Sequence, residues 1–124
     1  MEKTMGKLLR DLLQPGVYEK GFAIVEEALR RHQPDYHERF LEVLDGHLMY
    51  ICNMFVTRKE IFDEYCTWLF SFLIEAAEQM DVSEYNAYSK RVIGFFAERM
   101  LTVWLTRQPL KIKELPYVLL SERI

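Results

Sequence analysis

Three features of this 124-residue chain place polar or charged groups in apolar surroundings, where they must find partners or do chemistry. The first is the run HLMYICNMFV, residues 47–56, in which His47, Tyr50 and Asn53 bring an imidazole, a phenol and an amide. Asn53 is either a structural hydrogen-bonder or a site residue. The second is the cluster Tyr85, Tyr88, Lys90 and Arg91. The third is Glu98-Arg99, flanked by Phe95, Phe96 and Met100. That pair is either a surface salt bridge or faces inward, where burial demands a partner or a substrate.

Other chemistries are not spelled out. There is no GxGxxG or GxxxxGK[ST] phosphate loop and no HExxH or other paired-His metal site. His32, His37 and His47 can converge only through the fold. Ser71, Ser83, Ser89 and Ser121 lack a nucleophile-elbow context. The paired acids Glu26-Glu27 and Asp63-Glu64 read as solvated helix flanks. Cys52 and Cys66 lie among apolar neighbours with no CxxC, so they read as small core hydrophobes in a reducing compartment. No metal ligands are assigned.

The elements that must position these groups are mainly helices. Met5, Leu8, Leu9, Leu12 and Leu13 recur at helical spacing until Pro15-Gly16 stops them. A second helix is expected over Tyr18–His32, with Phe22, Val25 and Leu29 on one face and Gly21 weakening its first turn. After Gln33-Pro34 a short third helix carries Tyr36, Phe40, Leu41 and Leu44 and ends at Gly46. The run 47–56 has no helical stripe and is rich in aromatic and β-branched residues, which predicts a buried strand. Thr57-Arg58-Lys59-Glu60 reads as a capping box. The long helix after it, to about Met80, has Phe62, Tyr65, Leu69, Phe72 and Ala76 on one stripe, widened by Ile61, Trp68 and Leu73. That breadth makes it central. Ser83 is a candidate cap after the break at Asp81. A last helix over Tyr88–Arg107 buries Val92, Phe95, Phe96, Met100, Val103 and Trp104. Gly94 inside it suggests close packing or the close approach of a ligand. Beyond Pro109, LKIKELPYVLL reads as an extended segment.

Composition agrees with a soluble globular domain: 50% apolar, 14% aromatic and 28% charged, with five Gly and four Pro. The longest apolar runs, such as Trp68–Ile74, fall short of the ~20 residues of a membrane span. Net charge is −3. Residues 1–83 hold nine Lys and Arg against fifteen Asp and Glu, and residues 84–124 hold seven against four. The basic C-terminal third is the part that could face phosphates. A pI near 5.6 argues against nucleic acid as a partner.

At these residues a resemblance emerges. NMFVTRKEIFDEYCTWLF, residues 53–70, resembles the "NMF…K…FDEYC-WLF" signature of a family of bacterial capsular and exopolysaccharide glycosyltransferases, a domain long catalogued as of unknown function. KRVIGFFAERMLTVWL, residues 90–105, is similar to its second signature, "R-x-x-GF-x-xER-L-x-x-(Y/W)L", and Glu114-Leu115-Pro116 to the segment that follows. With RRHQPDY and His47–Tyr50, the likeness covers about residues 17–117.

The resemblance implies a GT-A-type nucleotide-sugar transferase, of which this chain holds only the C-terminal half. That half helps to build the acceptor side and closes over the donor diphosphate. No Asp here lies two residues from another Asp, so the Asp-x-Asp half is not included. A departing nucleoside diphosphate needs a metal clamp or cationic side chains. Arg91 and Arg99, with Lys90, are the phosphate-facing cations this implies. Asn53, His47 and Tyr50 are the sugar-facing groups, and Glu98 is the candidate catalytic carboxylate. A divalent metal, Mn or Mg, is expected only if the other half is supplied.

The resulting expectation is an α+β fold: mainly α, with a short buried strand and an extended C-terminal segment. It divides into a divergent amphipathic helix over 1–16, a glycosyltransferase C-terminal-like domain over 17–120, and a tail over 121–124. The expected function is that of a truncated or split transferase domain of surface-polysaccharide biosynthesis, acting on a nucleotide sugar and a glycan acceptor. The alternative is a non-catalytic helical module that self-associates or binds a larger transferase. Either would be cytoplasmic, or peripheral at the inner membrane.

Overall fold

The hydroxyl of Thr4 opens the first helix by accepting the Lys7 amide at 3.1 Å, the ordinary role of an N-cap residue. The structure, a computed structural model, describes residues 3–50 and 54–116. Five α-helices follow in order: α1 Met5–Leu12, α2 Val17–His32, α3 His37–Asp45, α4 Lys59–Gln79 and α5 Val92–Leu105. Single 3-10 turns, Pro34–Tyr36 and Ser89–Arg91, lead into α3 and α5. Gly16, at φ 85°, supplies the left-handed turn between α1 and α2.

The core lies where α4 and α5 meet α2, with α1 and α3 closing one side. Phe40, Phe72 and Phe96 are fully buried. Tyr18, Phe22, Phe40 and Phe96 form one aromatic cluster with ring centroids 5.6–6.5 Å apart. Tyr36, Tyr65, Trp68, Phe72 and Trp104 form a second at 4.8–6.2 Å. Both show the offset and edge contacts that aromatic rings prefer.

The expected α+β arrangement is corrected to an all-helical one, because no strand occurs among the described residues. Within the run read as a strand, His47–Tyr50 and Met54–Val56 are irregular, while residues 51–53 lie outside the described residues. A strand needs a neighbour for its unpaired N–H and C=O groups. The extended segment after Pro109 does not supply one; it reaches this run through the Tyr50 hydroxyl, which donates to Glu114 at 3.0 Å. The likeness to a GT-A fold accordingly finds no support.

Smaller corrections follow the same logic. The N-cap of α4 is Arg58, with no side-chain cap bond, so Thr57 sits one residue too early to act as the cap. Ser83 bonds Asp81 through both its amide and its hydroxyl, closing a turn and not starting a helix. Phe62, expected in the core, is 46% exposed.

Gly21 and Gly94 exchange the roles that spacing suggested. A Cβ on Gly21 would stand 3.0 Å from Phe96 Cε2 and from Val92 Cγ2, so this glycine lets α2 and α5 approach. A Cβ on Gly94 would meet nothing within 4 Å. Gly94→Ala is therefore expected to stabilise the chain by about 1 kcal/mol through helix propensity. Gly21→Ala should cancel or reverse that gain, since overpacking costs ~1–3 kcal/mol. Urea titrations of the two variants check the contrast.

Tyr65 is 4% exposed, and its hydroxyl has no hydrogen-bond partner among the described residues. Burial pushes its ionisation up to about 12 from the ordinary value of 10.0. The unfolded chain then loses this proton before the folded one, so stability should fall as pH rises from 10 through 12. Tyr65→Phe is expected to reduce that alkaline loss and leave neutral-pH stability equal or higher. Thermal melts at neutral and alkaline pH measure both effects.

Candidate functional site

Helix α5 carries most of the residues that could act on a ligand. Its apolar face turns Val92, Phe96, Met100, Val103 and Trp104 into the core, as their spacing predicts, while Phe95, expected with them, is half-buried. The same rotation takes Arg99 inward, to 5% exposure. Its Nη1 donates to the Phe95 carbonyl at 2.7 Å, while its Nε has no partner among the described residues. Among the described residues Arg99 forms no ion pair. Burial lowers the Arg99 pKa from its ordinary value, against the charges of Glu98 and of the Tyr18 and Tyr88 hydroxyls, which favour the cation. The guanidinium stays charged. Of the two readings of Glu98-Arg99, the inward one describes Arg99, and Glu98 is half-buried beside it without a salt bridge among the described residues.

Arg91 engages the same aromatic residue from outside. It is exposed, and its guanidinium carbon lies 5.0 Å above the Phe95 ring. The Tyr88 ring packs on Phe95 at 5.0 Å. Arg91, Tyr88 and Arg99 thus converge on Phe95, two of them on its ring and one on its carbonyl. This leaves one guanidinium and a phenol on the turn before α5 and a second guanidinium two turns into the helix, all touching Phe95, a composition suited to an anion.

The other predicted residues are placed elsewhere. The Tyr50 amide donates to Thr102 Oγ1 at 2.9 Å, so the 47–50 segment is tied to α5, one turn beyond Arg99. His47 is exposed and its Nδ1 donates to the Lys3 carbonyl at 3.2 Å. Asn53 lies outside the described residues. The histidines do not converge: His32 pairs with Glu75 and His37 with Glu26, each at 2.9 Å. Glu75 also takes Arg31 at 2.8 Å. The His32 hydrogen bond, with help from Arg31, holds the Glu75 carboxyl below its ordinary range. Among the described residues no three His, Cys, Asp or Glu gather to hold a metal. Cys66 is a free thiol, half-buried on α4.

Two open grooves mark the surface. One, about 460 Å³, is lined by Gln33, Asp63, Glu64, Thr67, Trp68 and Ser71. The other, about 400 Å³, is lined by Phe55, Val56, Thr57 and Phe62. Neither contains a residue singled out from the sequence as a site candidate. Spacing also gave no sign of a polar clasp across the chain. Gln14 accepts the Asn86 amide at 2.7 Å and donates its own amide to the Ser89 hydroxyl at 3.0 Å. Ser89 is 1% exposed, and its amide bonds Asn86 Oδ1 at 2.8 Å. The clasp fixes the turn from which Lys90 and Arg91 emerge.

A family model described as a domain of unknown function (DUF4422) matches residues 4–109. The chain belongs to this family. The match takes in all five helices, α1 included, and therefore Arg91, Glu98 and Arg99. No curated protein and no solved structure matches the chain. Among the described residues no helix is long and apolar enough to cross a membrane.

Proposed function

We propose that this domain is the helical part of a surface-polysaccharide glycosyltransferase, and that its α5 contributes cations to the diphosphate of a nucleotide-sugar donor. The sequence likeness at residues 53–70 and 90–105 supplies the reaction class. The observation that carries the reading is Arg99, a guanidinium 5% exposed with one carbonyl bond and an Nε that finds no partner among the described residues. Burying a cation without an anion costs several kcal/mol, and such a cost is tolerated where a ligand or partner supplies the missing charge. In this reading Arg91, exposed over the Phe95 ring, is the outer cation for the same anion.

Transfer would need a nucleotide-binding part with metal-ligating carboxylates, which these residues do not include. This chain's share is charge stabilisation of the leaving diphosphate, with Glu98 next to it to orient a hydroxyl or hold Arg99. Calorimetry with uridine and guanosine diphosphates, with and without manganese, tests the reading. Binding that disappears in Arg99→Ala supports it. An Arg99→Ala chain that is folded and binds the diphosphates as tightly as the unchanged protein contradicts it.

A second reading, a non-catalytic helical docking module, is favoured by a different observation. Phe70 and Ile74, on the outer side of α4, are 49% and 53% exposed, in line with Phe62. Such a face on a helix already packed by α2 and α5 marks a contact surface.

A further inference from the structure

We propose that the groove between the flank of α4 and the end of α2 is a binding site for a neutral sugar ring. It contains no residue of α5 and needs neither Arg99 nor the transferase reading. Where that reading holds, the groove gives the glycan acceptor a place apart from the donor diphosphate. Asp63, Glu64, Thr67, Trp68 and Ser71 recur at spacings of three and four residues, which lines them along one side of α4. Gln33, the C-cap of α2, closes the groove from across. Trp68 is its wall. The indole is 7% exposed and packs on Tyr36 at 4.8 Å and on Phe72 at 5.1 Å, so its place is fixed by the core. Its Nε1 is buried and finds no partner among the described residues. An orphaned donor costs stability, and on a side chain that lines an open groove it calls for an acceptor from outside the chain.

The polar lining selects the class of ligand. Ser71 donates to the Trp68 carbonyl at 2.6 Å and accepts from Gln33 Nε2 at 3.0 Å, which holds the Gln33 amide in place. Asp63 is engaged by Lys59 at 2.6 Å. Glu64, exposed and without an ion pair among the described residues, is then the free carboxylate. Two neighbouring carboxylates disfavour an anion. A metal ion lacks ligands, since among the described residues no three His, Cys, Asp or Glu gather. What remains is an aromatic wall edged by an amide, a carboxylate and the Thr67 hydroxyl, a mixture of donors and acceptors. A pyranose presents the complement. Its C–H groups, slightly positive, suit an aromatic ring, and the hydroxyls around its rim both give and take hydrogen bonds. Glu64 is the strongest acceptor of the set, because bonds to an ionised group are shorter and stronger than neutral ones. The groove, about 460 Å³, lies within the ~300–1,000 Å³ usual for small-molecule sites.

Nuclear magnetic resonance on the full chain, titrated with the methyl glycosides of glucose, galactose and N-acetylglucosamine, tests the site. A saturable shift of the Trp68 indole N–H, larger than that of the Trp104 indole, is expected with at least one of them at millimolar concentration. Glu64→Ala should weaken that binding about tenfold. Ser71→Ala, which releases the Gln33 amide, should weaken it as well. Both side chains are exposed, so the far-ultraviolet circular dichroism of the variants should stay unchanged. Arg99→Ala should bind the glycoside as the unchanged chain does, which separates this site from the donor reading. The absence of a saturable shift with all three glycosides overturns the proposal, as does a shift that Glu64→Ala leaves untouched. Loss of glycoside binding in a folded Arg99→Ala chain overturns it too, by placing the sugar elsewhere. So does saturable binding of tetramethylammonium in place of the glycosides, which would assign the groove to an organic cation.

Discussion

Phe96→Ala should remove a large part of the chain's stability and unfold it at urea concentrations that leave the unchanged protein folded. Phe96 is fully buried on α5 and stands within 6.5 Å, centroid to centroid, of both Tyr18 and Phe40. It is also the ring against which Gly21 brings α2. Truncating such a residue removes its transfer free energy and leaves a cavity, at a cost of about 3–5 kcal/mol. Small domains hold only ~5–15 kcal/mol in total, and a chain of this length lies toward the lower part of that range. Phe70→Ala is the matched control. It deletes the same atoms from a side chain 49% exposed and should cost under about 1 kcal/mol in the monomer. Urea unfolding followed by circular dichroism separates the two.

Arg99→Met is expected to move stability and ligand binding in opposite directions. The methionine keeps the apolar stem of the side chain and removes the charge. In the folded chain that charge is 5% exposed, bonded to one carbonyl and without an ion pair among the described residues. Replacing buried ionic groups by apolar ones of similar volume is often neutral or stabilising by ~1–4 kcal/mol, so the variant should unfold at equal or higher urea concentration. On the proposed reading diphosphate binding should fall at least tenfold, because the cation assigned there to the phosphate oxygens is gone. A residue that costs stability and supports binding is the mark of a site. If Arg99→Met instead destabilised the chain and left binding intact, Arg99 would be a structural cation.

Much of the fold could be read from residue spacing and punctuation. The leucines from Met5 to Leu13, the stops at Pro15-Gly16, Gln33-Pro34 and Gly46, and the broad apolar face of α5 place five helices to within a few residues. The inward turn of Arg99 was one of two readings offered by its Phe and Met neighbours. The failures share a cause: each depended on a partner distant in sequence. The run 47–56 has strand-like composition, but a strand exists only beside another, and Tyr50 bonds a threonine side chain on α5 instead. Gly21 and Gly94 look alike within their helices; only the packing of α2 on α5 tells them apart. Phe62 fits the core stripe by spacing, yet α4 has two apolar faces and Phe62 lies on the outer one. The clasp of Gln14, Asn86 and Ser89 joins loops more than seventy residues apart, and loop residues carry no periodic signal.

Following the Arg99 Nε–H resonance by nuclear magnetic resonance, while the chain is titrated with a nucleoside diphosphate and manganese or magnesium, tests most directly whether the buried cation meets an anion from outside the chain. A buried, unpartnered Nε–H gives a separate signal. A saturable shift of that signal with the diphosphate, and none with the uncharged nucleoside, is the expected result. A resonance that stays in place at millimolar diphosphate, in a chain that is folded, contradicts the assignment of Arg99 to the donor site.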